Sequence, residues 1–365
     1  MIPLVKAMFK DSSKILSSIK GVIDSGIVAE GEQVYSFEAA FKLKFGIDNG
    51  ISTSSGTAAL DIIYLHAGIG QGDEVISTPM TAEPTNTAIA KTGAKVVFAD
   101  VDRENGLLTL ESIKNEITAR TKAVCLVHYA GYVCDLGLIS TYLKQKNILL
   151  IEDCAHALGA KYGGSSVGSY GDYGIFSFQA IKQMTTIDGG FLVFKNKEWE
   201  SNLKKIRWFG LEKGKAREDN RISVIGSKYN FNNVNAAIGL YQLTVVDEYL
   251  GAYKKNSEFL NNQLKYVAGV KPGRVVSNSS PSYWLYTLLA NDSKNLINHL
   301  NQSGIGASKL HVPNTIHPIF EATEKKLDGM NEFYSNLVHL PVGPWVTMLD
   351  LEYTVDRIKE FYLQS

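Results

Sequence analysis

One lysine in this sequence lies where its amine could act as a nucleophile. Lys182 follows the strand-like run 173-YGIFSF-178 and precedes Gly189 and the run 190-GFLVFK-195. A lysine between two buried strands differs from an ordinary surface lysine, because its amine could have a lowered pKa and form a Schiff base with a carbonyl group. Taken alone, such a segment more commonly carries a lysine in an exposed loop.

Two adjacent carboxylates end another apolar run, 147-NILLIED-153. Ligands bind at the carboxyl ends of the strands in a parallel sheet, and a buried carboxylate there needs a partner. Asp153 could therefore hold a protonated heterocyclic nitrogen, and His156 follows three residues later. A salt bridge from Glu152 or Asp153 to a neighbouring cation is the alternative.

A Ser/Gly/Thr turn runs directly into a helical pattern in 52-STSSGTAALDIIYL-65. Free backbone N–H groups at the start of a helix bind phosphate, and a glycine such as Gly56 lets an anion approach closely. Ser55 and Thr57 could add hydroxyl donors. An ordinary helix cap is the alternative.

Alternating strand and helix patterns would position these three segments. The strand candidates are apolar on consecutive positions, as strands buried on both faces are: 73–79, 95–101, 123–129, 147–153, 173–178 and 190–195. Helical patterns lie between them, for example at 57–69 and 136–146. We therefore predict an α/β fold with a mainly parallel central sheet flanked by helices.

The pattern changes after about residue 232. Residues 233–267 predict a long helix that could break near Gly251, and a strand and two helices follow at 284–290, 293–304 and 353–363. We predict a large domain over residues 1–240 and a smaller C-terminal α+β domain over 241–365.

Composition argues against several other classes of protein. The chain has 37 Lys+Arg and 37 Asp+Glu, so no basic excess indicates binding to nucleic acid or to an anionic membrane. Its apolar runs are shorter than a membrane span, and its N-terminus lacks the pattern of a signal peptide. Cys125, Cys134 and Cys154 do not have the spacing of metal ligands. We expect a cytoplasmic protein with no metal.

Two further residues are interpreted as structural. His128 ends the run 123–129, and Arg207 lies in 206-IRWFGL-211. We expect Arg207 to form a salt bridge at the surface.

Together, the first three segments predict a site for pyridoxal 5'-phosphate. A phosphate cradle, an aspartate for the pyridinium nitrogen and a lysine for the Schiff base are the groups that this cofactor requires. Lys182 would bind the cofactor covalently. Asp153 would keep the ring nitrogen protonated, so that the ring can accept electrons.

Longer segments resemble the DegT/StrS-type family, the fold type I aminotransferases that use pyridoxal phosphate and act on nucleotide-linked keto-sugars. The similarity covers nearly the whole chain, including 25-SGIVAEGEQVYSFEAAF-41, SSGTAAL, EDCAHALGA, FSFQAIK and 229-YNFNNVNAAIGLYQL-243. The interval between Asp153 and Lys182 also matches the family. A related branch carries histidine in place of the lysine and performs a dehydration, so Lys182 favours transamination.

The resemblance implies roles for further residues. Ser177 would contact the cofactor phosphate, and His156 would lie beside the ring near its phenolic oxygen. Asn230 would reach the phosphate of the partner subunit, which implies a homodimer with shared active sites. Many family members stack a large aromatic residue on the cofactor ring, whereas the matching residue here is Ala82, so we expect a weaker stack.

The segment 309-KLHVPNTIHPIF-320 carries His311, Asn314 and His317. The resemblance implies that these three residues approach the active site from the substrate side. The spacing and the prolines of this segment argue against a helical pair of metal ligands.

The resemblance also implies the reaction. The enzyme would move an amino group from L-glutamate to a nucleotide-linked keto-deoxysugar, to make an amino sugar for a surface polysaccharide such as the O-antigen of lipopolysaccharide, or for a glycosylated metabolite. A transaminase of a free cyclitol-type ketone and a non-catalytic regulator that retains the fold are the alternatives. The presence of Lys182, Asp153 and Ser177 argues against the regulator.

Overall fold

The computed structural model describes residues 1–320 and 326–363. The helices in these residues are α1 (Ser12–Asp24), α2 (Glu32–Phe45), α3 (Gly56–His66), α4 (Glu83–Ala90), α5 (Leu110–Lys114), α6 (Leu136–Lys146), α7 (Glu200–Arg207), α8 (Asn233–Leu264), α9 (Ser293–Gln302), α10 (Asp328–Asn336) and α11 (Met348–Leu363). The strands are β1 (Gly50–Thr53), β2 (Glu74–Ser77), β3 (Lys95–Phe98), β4 (Thr121–Val127), β5 (Leu149–Asp153), β6 (Lys161–Tyr162), β7 (Ser165–Ser166), β8 (Tyr173–Ser177), β9 (Gly190–Phe194), β10 (Val270–Pro272), β11 (Ser279–Ser280), β12 (Tyr286–Ala290) and β13 (Leu337–Leu340).

The central sheet in the described residues has the strand order β1–β9–β8–β5–β4–β2–β3. Strand β9 is antiparallel to β1 and β8, whereas the pairs β8–β5, β5–β4, β4–β2 and β2–β3 are parallel. The predicted mainly parallel sheet is therefore confirmed. All six predicted runs form strands of this sheet. The edge strand β1 was not predicted; it is four residues long and leads directly into the polar turn before α3.

Helix α2 shows how the helices cover this sheet. Its residues Phe37, Phe41 and Phe45 recur every four positions, so they share one face of the helix, and all three are buried. The ring of Phe37 meets the ring of Phe178 edge-on at 5.5 Å. Each such buried side chain contributes about 1.5–3 kcal/mol to stability. A Cβ atom on Gly239 would lie 2.6 Å from the Phe37 ring, so the glycine permits the close packing of α8 on α2.

Helix α8 is continuous from Asn233 to Leu264, so the predicted break near Gly251 is wrong. Gly251 is exposed, and an exposed glycine in a helix costs only about 1 kcal/mol relative to alanine. The first half of α8 contributes Leu243 to the core against the central sheet. The second half contributes Leu260 to a separate core around the sheet β10–β12–β13. The domain boundary at residue 240 stays a prediction.

The expected surface salt bridge of Arg207 is also wrong. Arg207 is 3% exposed, and its guanidinium contacts Glu30 at 2.7 Å and Glu38 at 2.8 Å. It also donates to the backbone oxygen of Ser52 at 2.9 Å. Burial of this side chain depends on α2, α7 and β1 meeting, which the local sequence does not reveal.

Among the described helices, none is long and apolar enough to cross a membrane.

Candidate active site

The carboxyl ends of β1, β5 and β8 lie at the same edge of the central sheet. Asp153 is the last residue of β5, and Ser177 is the last residue of β8. Ser177 pairs with Gly190, which also pairs with Thr53 at the end of β1. A cavity of about 400 Å³ opens at this edge, within the usual size range of small-molecule sites. Its lining includes Ser55, Gly56, Thr57, Ala82, Glu83, Thr85, Asp153, His156, Ser177, Lys182, Trp284 and His311.

One wall of this cavity is the start of helix α3. The Ser55 hydroxyl accepts a hydrogen bond from the Ala58 N–H at 3.0 Å, which makes Ser55 the helix cap. The N–H groups of Gly56 and Thr57 stand in the first turn, where a helix offers them no internal acceptor. A Cβ atom on Gly56 would lie 3.1 Å from the Cβ of Ser177, so the glycine keeps this corner open. The arrangement favours an anion such as phosphate.

Asp153 is buried at the end of β5, and both its carboxylate oxygens are hydrogen-bonded. Oδ1 accepts from the Ala155 N–H at 3.0 Å, and Oδ2 accepts from the Thr85 hydroxyl at 2.8 Å. Thr85 in turn contacts the Thr81 hydroxyl at 3.0 Å. Burial raises the pKa of Asp153, while the two hydrogen bonds and the charge of Lys182 act in the opposite direction. A cationic ring nitrogen beside Asp153 would offset this cost of burial.

His156 lies beside Asp153 in the cavity wall and is buried. Its Nδ1 faces the Ala130 N–H at 3.4 Å, which assigns Nδ1 as the acceptor and places the ring proton on Nε2. Burial, and then the charge of Lys182, lower the pKa of His156 well below its ordinary value. The imidazole is therefore neutral at physiological pH and has one N–H group to donate.

Lys182 lies in the segment between β8 and β9 and is partly buried. Burial lowers its pKa to about 7, although the charge of Asp153 acts to raise it. The Nζ atom lies 4.0 Å from the ring centroid of Trp284. An amine with this pKa has a substantial neutral fraction near neutral pH, which is the form that attacks a carbonyl.

The structure does not bring every candidate residue into the cavity. Asn230 is absent from the lining and forms a bridge with Thr53. Its Nδ2 donates to the Phe231 carbonyl at 3.2 Å, and its buried Oδ1 has no hydrogen-bond partner among the described residues. Its predicted contact with a partner subunit stays a prediction.

Asn314 and His317 also lie outside the lining, whereas His311 is part of it. Asn314 is fully buried, accepts from the Asn86 side chain at 2.8 Å and donates to the Thr81 carbonyl at 2.9 Å. Asn314 therefore stabilises the segment that carries Ala82 and Thr85, without lining the cavity itself. His317 is 3.8 Å from Glu83 near the surface.

Thr85 and Trp284 line the cavity although the sequence did not predict them as site residues. Thr85 lies three residues after Ala82, in the segment 79-PMTAEPTN-86 that the resemblance places near the cofactor ring, and this position is the signal that marks its hydroxyl as a candidate. Trp284 is a hundred residues from Lys182, and no local pattern marks it as part of the site.

A buried group of His128, Glu152 and Cys154 has the composition of a metal site. The Glu152 carboxylate, however, already accepts hydrogen bonds from His128 Nε2 and from the N–H groups of Gly168, Tyr170 and Gly171, at 2.7–3.1 Å. Burial raises the pKa of the Cys154 thiol well above its ordinary value. These contacts stabilise the turn before β8 and leave the carboxylate little capacity to bind a metal.

A larger cavity of about 810 Å³ lies beside α7. Its lining includes Glu200 and Lys204, which pair at 2.6 Å, and Arg207, which pairs with Glu30. It shares no lining residue with the cavity that contains Lys182.

The residues around Lys182 fit pyridoxal 5'-phosphate. The start of α3 and Ser177 would hold the phosphate, Asp153 would hold the ring nitrogen, and His156 Nε2–H could donate to the phenolic oxygen. The amine of Lys182 is available for the covalent bond. No residue of the described chain fills the space between these groups.

Comparisons with known proteins agree with this arrangement. The model of the DegT/DnrJ/EryC1/StrS aminotransferase family matches residues 10–359. The GDP-perosamine synthase of Escherichia coli O157:H7 is 31% identical over 340 residues, which cover 92% of each chain. The crystal structure of the sugar aminotransferase CalS13 from Micromonospora echinospora superposes with a TM-score of 0.95 at 31% identity, covering 99% of this chain and 100% of that one.

Solved structures also link this fold to the cofactor. The Streptococcus pneumoniae protein Spr1654 in its PLP form superposes with a TM-score of 0.90 at 22% identity, covering 100% of this chain and 99% of that one. At this identity the likeness shows the fold. Members of the matched family depend on pyridoxal phosphate. The chain therefore belongs to the DegT/DnrJ/EryC1/StrS aminotransferase family and is a pyridoxal-phosphate-dependent aminotransferase.

Proposed function

We propose that this enzyme transfers the amino group of L-glutamate to a nucleotide-linked keto-deoxysugar. The product would be an amino sugar for a surface polysaccharide such as the O-antigen of lipopolysaccharide, or for a glycosylated metabolite, and the reaction would take place in the cytoplasm. The observation that carries the proposal is the cavity that joins Lys182, Asp153 and the start of α3. The similarity to GDP-perosamine synthase and to sugar aminotransferases supports the class of acceptor.

The roles of the residues follow from their environments. When bound, pyridoxal phosphate supplies an electron-accepting ring that stabilises negative charge at the reacting carbon of the substrate. Lys182 Nζ, with its pKa lowered to about 7, can accept a proton from that carbon and return a proton during turnover. Asp153, held by Thr85 and Ala155, keeps its carboxylate directed at the place of the ring nitrogen.

Three further sets of groups would surround the cofactor. His156 is neutral because burial lowers its pKa, so its Nε2–H donates a hydrogen bond without adding a positive charge. The N–H groups of Gly56 and Thr57 complement the phosphate at the helix start. Trp284 and Ile181 form an apolar wall beside the lysine. Apolar surroundings strengthen the electrostatic interactions in the cavity.

We further propose that the active form is a homodimer with shared sites. Phe209, Ile222 and Ile225 are exposed apolar side chains close in sequence to Asn230. A second copy of the chain would cover such side chains. This arrangement would bring Asn230 of one protomer to the phosphate end of the other protomer's cavity.

The proposed reaction divides into two measurable halves. Glutamate alone should change the absorbance of the bound cofactor and release 2-oxoglutarate once per site. Turnover should then require a nucleotide-linked keto-sugar, which we would test with 3-keto and 4-keto sugars beside a free cyclitol ketone of comparable size. Turnover with the free ketone only would replace the proposed acceptor. Failure of both halves with a correctly bound cofactor would favour the non-catalytic regulator.

A further inference from the structure

Trp284 is the least expected member of the cavity wall. It precedes β12, is 1% exposed, and belongs to none of the segments that predicted the site. Its ring centroid lies 4.0 Å from Lys182 Nζ. Its indole Nε1–H donates to the Ile181 carbonyl at 2.9 Å. Trp284 therefore contacts both the side chain of Lys182 and the backbone immediately before it.

A second hydrogen bond fixes the backbone after the lysine. The Gln183 side chain donates to the Ser282 carbonyl at 2.9 Å. Together with the bond from Trp284 to Ile181, it ties residues 181–183 to residues 282–284. Lys182 thus lies between two anchored neighbours, and both anchors come from the segment that leads into the C-terminal sheet.

The indole itself has little freedom to move. The His156 ring stacks on it at a centroid distance of 4.1 Å. The Leu285 N–H donates to the Ala130 carbonyl at 3.2 Å. A Cβ atom on Gly131 would lie 2.7 Å from the backbone nitrogen of Trp284. The backbone at 130–131 therefore packs directly on the backbone at 284–285. This contact restricts the position of the Trp284 backbone, and with it the position of the indole ring.

We propose that Trp284 is a positioning residue for Lys182: its Nε1–H fixes the segment that carries the lysine, and the face of its ring holds the amino group in the cavity. The electron-rich face of an indole attracts an ammonium group, so the contact stabilises the protonated form of the lysine. This proposal rests on Lys182 being the amine that binds the cofactor, and it does not depend on which acceptor the enzyme uses.

Other charged or titratable groups also face the lysine and must stay unchanged in a test. Asp153 at the end of β5 favours the ammonium form, and burial favours the neutral amine. His156, in the turn after β5, and His311 lie in the same cavity. So do Glu83 at the start of α4 and Asp188, two residues before β9. A variant that altered the size of Trp284 would also change how much water reaches these groups.

The first test therefore changes the ring electronically and keeps its size. Tryptophans with one to four ring fluorines would be introduced at position 284 of the full-length, cofactor-free protein. The pKa of Lys182 would be measured from the pH dependence of its competitive acylation, read by peptide mass spectrometry. We expect the pKa to fall stepwise with each fluorine, by about one unit for the fully fluorinated ring. A constant pKa across the series would overturn the ring contact.

Trp345 provides a matched control for this series. Its Nε1–H also donates to a backbone carbonyl, that of Pro3 at 2.9 Å, and it packs in the C-terminal core. Fluorination at Trp345 should leave the pKa of Lys182 unchanged. A similar fall in both series would show a general effect on the fold and would also overturn the proposal.

The second test concerns the backbone anchor. Trp284→Phe and Trp345→Phe each remove one indole N–H from a bond to a carbonyl. Trp284→Phe should cost more stability, because Trp284 is fully buried and Trp345 is partly exposed. Only Trp284→Phe should slow the covalent capture of pyridoxal phosphate, by about three- to tenfold, because one hydrogen bond of this kind is lost at the lysine segment. Equal capture rates in both variants and in the native protein would overturn the anchoring role. The readouts need no acceptor sugar, so they separate this proposal from the proposed function.

Discussion

Three titratable side chains share one buried cavity, and burial moves each of them towards its neutral form. Burial lowers the pKa of Lys182 and of His156, and it raises the pKa of Asp153. The mutual attraction of Lys182 and Asp153 opposes this shift for both partners. A ligand that brings a ring cation to Asp153 and a carbonyl to Lys182 satisfies both groups, which explains why this set of residues suits pyridoxal phosphate.

The lysine should destabilise the cofactor-free protein in a pH-dependent way. The pKa of Lys182 is about 7 in the folded chain, against an ordinary value of 10.5. Between these values the unfolded chain binds more protons, so stability rises with pH across this window. Lys182→Met should therefore raise the free energy of unfolding by a few kcal/mol below about pH 7, and by little above about pH 10.5. Urea unfolding at both pH values measures the difference, and an equal effect at both would contradict it.

Covalent capture of the cofactor should depend on the same titration. The neutral amine attacks the aldehyde, so the capture rate should rise with pH through about 7 and then level off. Borohydride reduction followed by peptide mass mapping should place the label on Lys182. A label on another lysine, or a rate that rises only near the ordinary pKa of lysine, would reject the assignment.

Thr85 offers a separate test of the aspartate. Thr85→Val keeps the shape of the side chain and removes the hydroxyl that donates to Asp153 Oδ2. A hydrogen bond to a charged group is worth about 1.5–3 kcal/mol, so affinity for pyridoxal phosphate should fall by roughly tenfold or more. Thr87→Val is the control, because Thr87 is exposed on the same helix and donates only to the Pro84 carbonyl. Similar losses in both variants would argue against a specific role for Thr85.

At the scale of elements, the site depends on how closely β9 approaches the start of α3. A Cβ atom on Gly190 would lie 2.4 Å from the Ser55 backbone, so only glycine permits this approach. Gly190 begins β9 and pairs with both Thr53 and Ser177. The helix start, the end of β1 and the end of β8 therefore meet at one residue, and the predicted phosphate cradle lies where they meet.

The buried Arg207 links the elements behind this cradle. It pairs with Glu30 and Glu38 and donates to the Ser52 carbonyl of β1. Arg207→Met would leave the carboxylate of Glu38 without its cation and Glu30 paired with the half-exposed Lys213 at 3.2 Å. Breaking a buried pair in this way typically costs about 3–5 kcal/mol. Arg103→Met is the matched control, because Arg103 pairs with Glu332 at the exposed surface, where a pair is worth about 1 kcal/mol or less. Denaturant unfolding of both variants measures the difference, and comparable losses would show that Arg207 behaves as a surface residue.

At the scale of the whole molecule, α8 joins two hydrophobic cores, and the N-terminus returns to the second of them. Ile2 forms a bridge with Ile305, and Trp345 donates to the Pro3 carbonyl, so the first residues of the chain pack against its C-terminal part. Residues 282–284, which lead into the same C-terminal sheet, are hydrogen-bonded to the residues on either side of Lys182. A change in the position of the C-terminal sheet would therefore reach Lys182 through residues 282–284.

The proposed homodimer can be tested by subunit complementation. Lys182→Ala and Asn230→Ala should each impair activity, and mixing the two with subunit exchange should restore it. If Asn230 acts on the partner's cofactor, the mixed dimer contains one site with a native Lys182 from one chain and a native Asn230 from the other. If Asn230 contacts the cofactor of its own chain, every site in the mixed dimer lacks either the native Lys182 or the native Asn230. Absence of recovery despite demonstrated exchange would reject the shared site.

The sequence predicted those parts of the site that are formed by neighbouring residues. Ser55, Gly56 and Thr57 form one turn, and Asp153 and His156 follow one strand, so their relation is set by local geometry. The strands of the central sheet could be predicted for a similar reason, because burial on both faces requires runs of apolar residues. The short edge strand β1 lacks such a run and was missed.

The sequence by itself determined the α/β class and the cofactor, because the strand runs and each of the three site segments are local patterns of residue types. The resemblance of longer segments to known proteins identified the family. Tertiary structure decided the rest. Trp284 and Thr85 join Lys182 and Asp153 only after segments far apart in the chain have packed, and Arg207 becomes buried only where α2, α7 and β1 meet. Hydrogen bonding, desolvation and ring contacts act over a few ångströms in space and are independent of separation along the chain. Side chains joined in this way leave no periodic signal in the sequence.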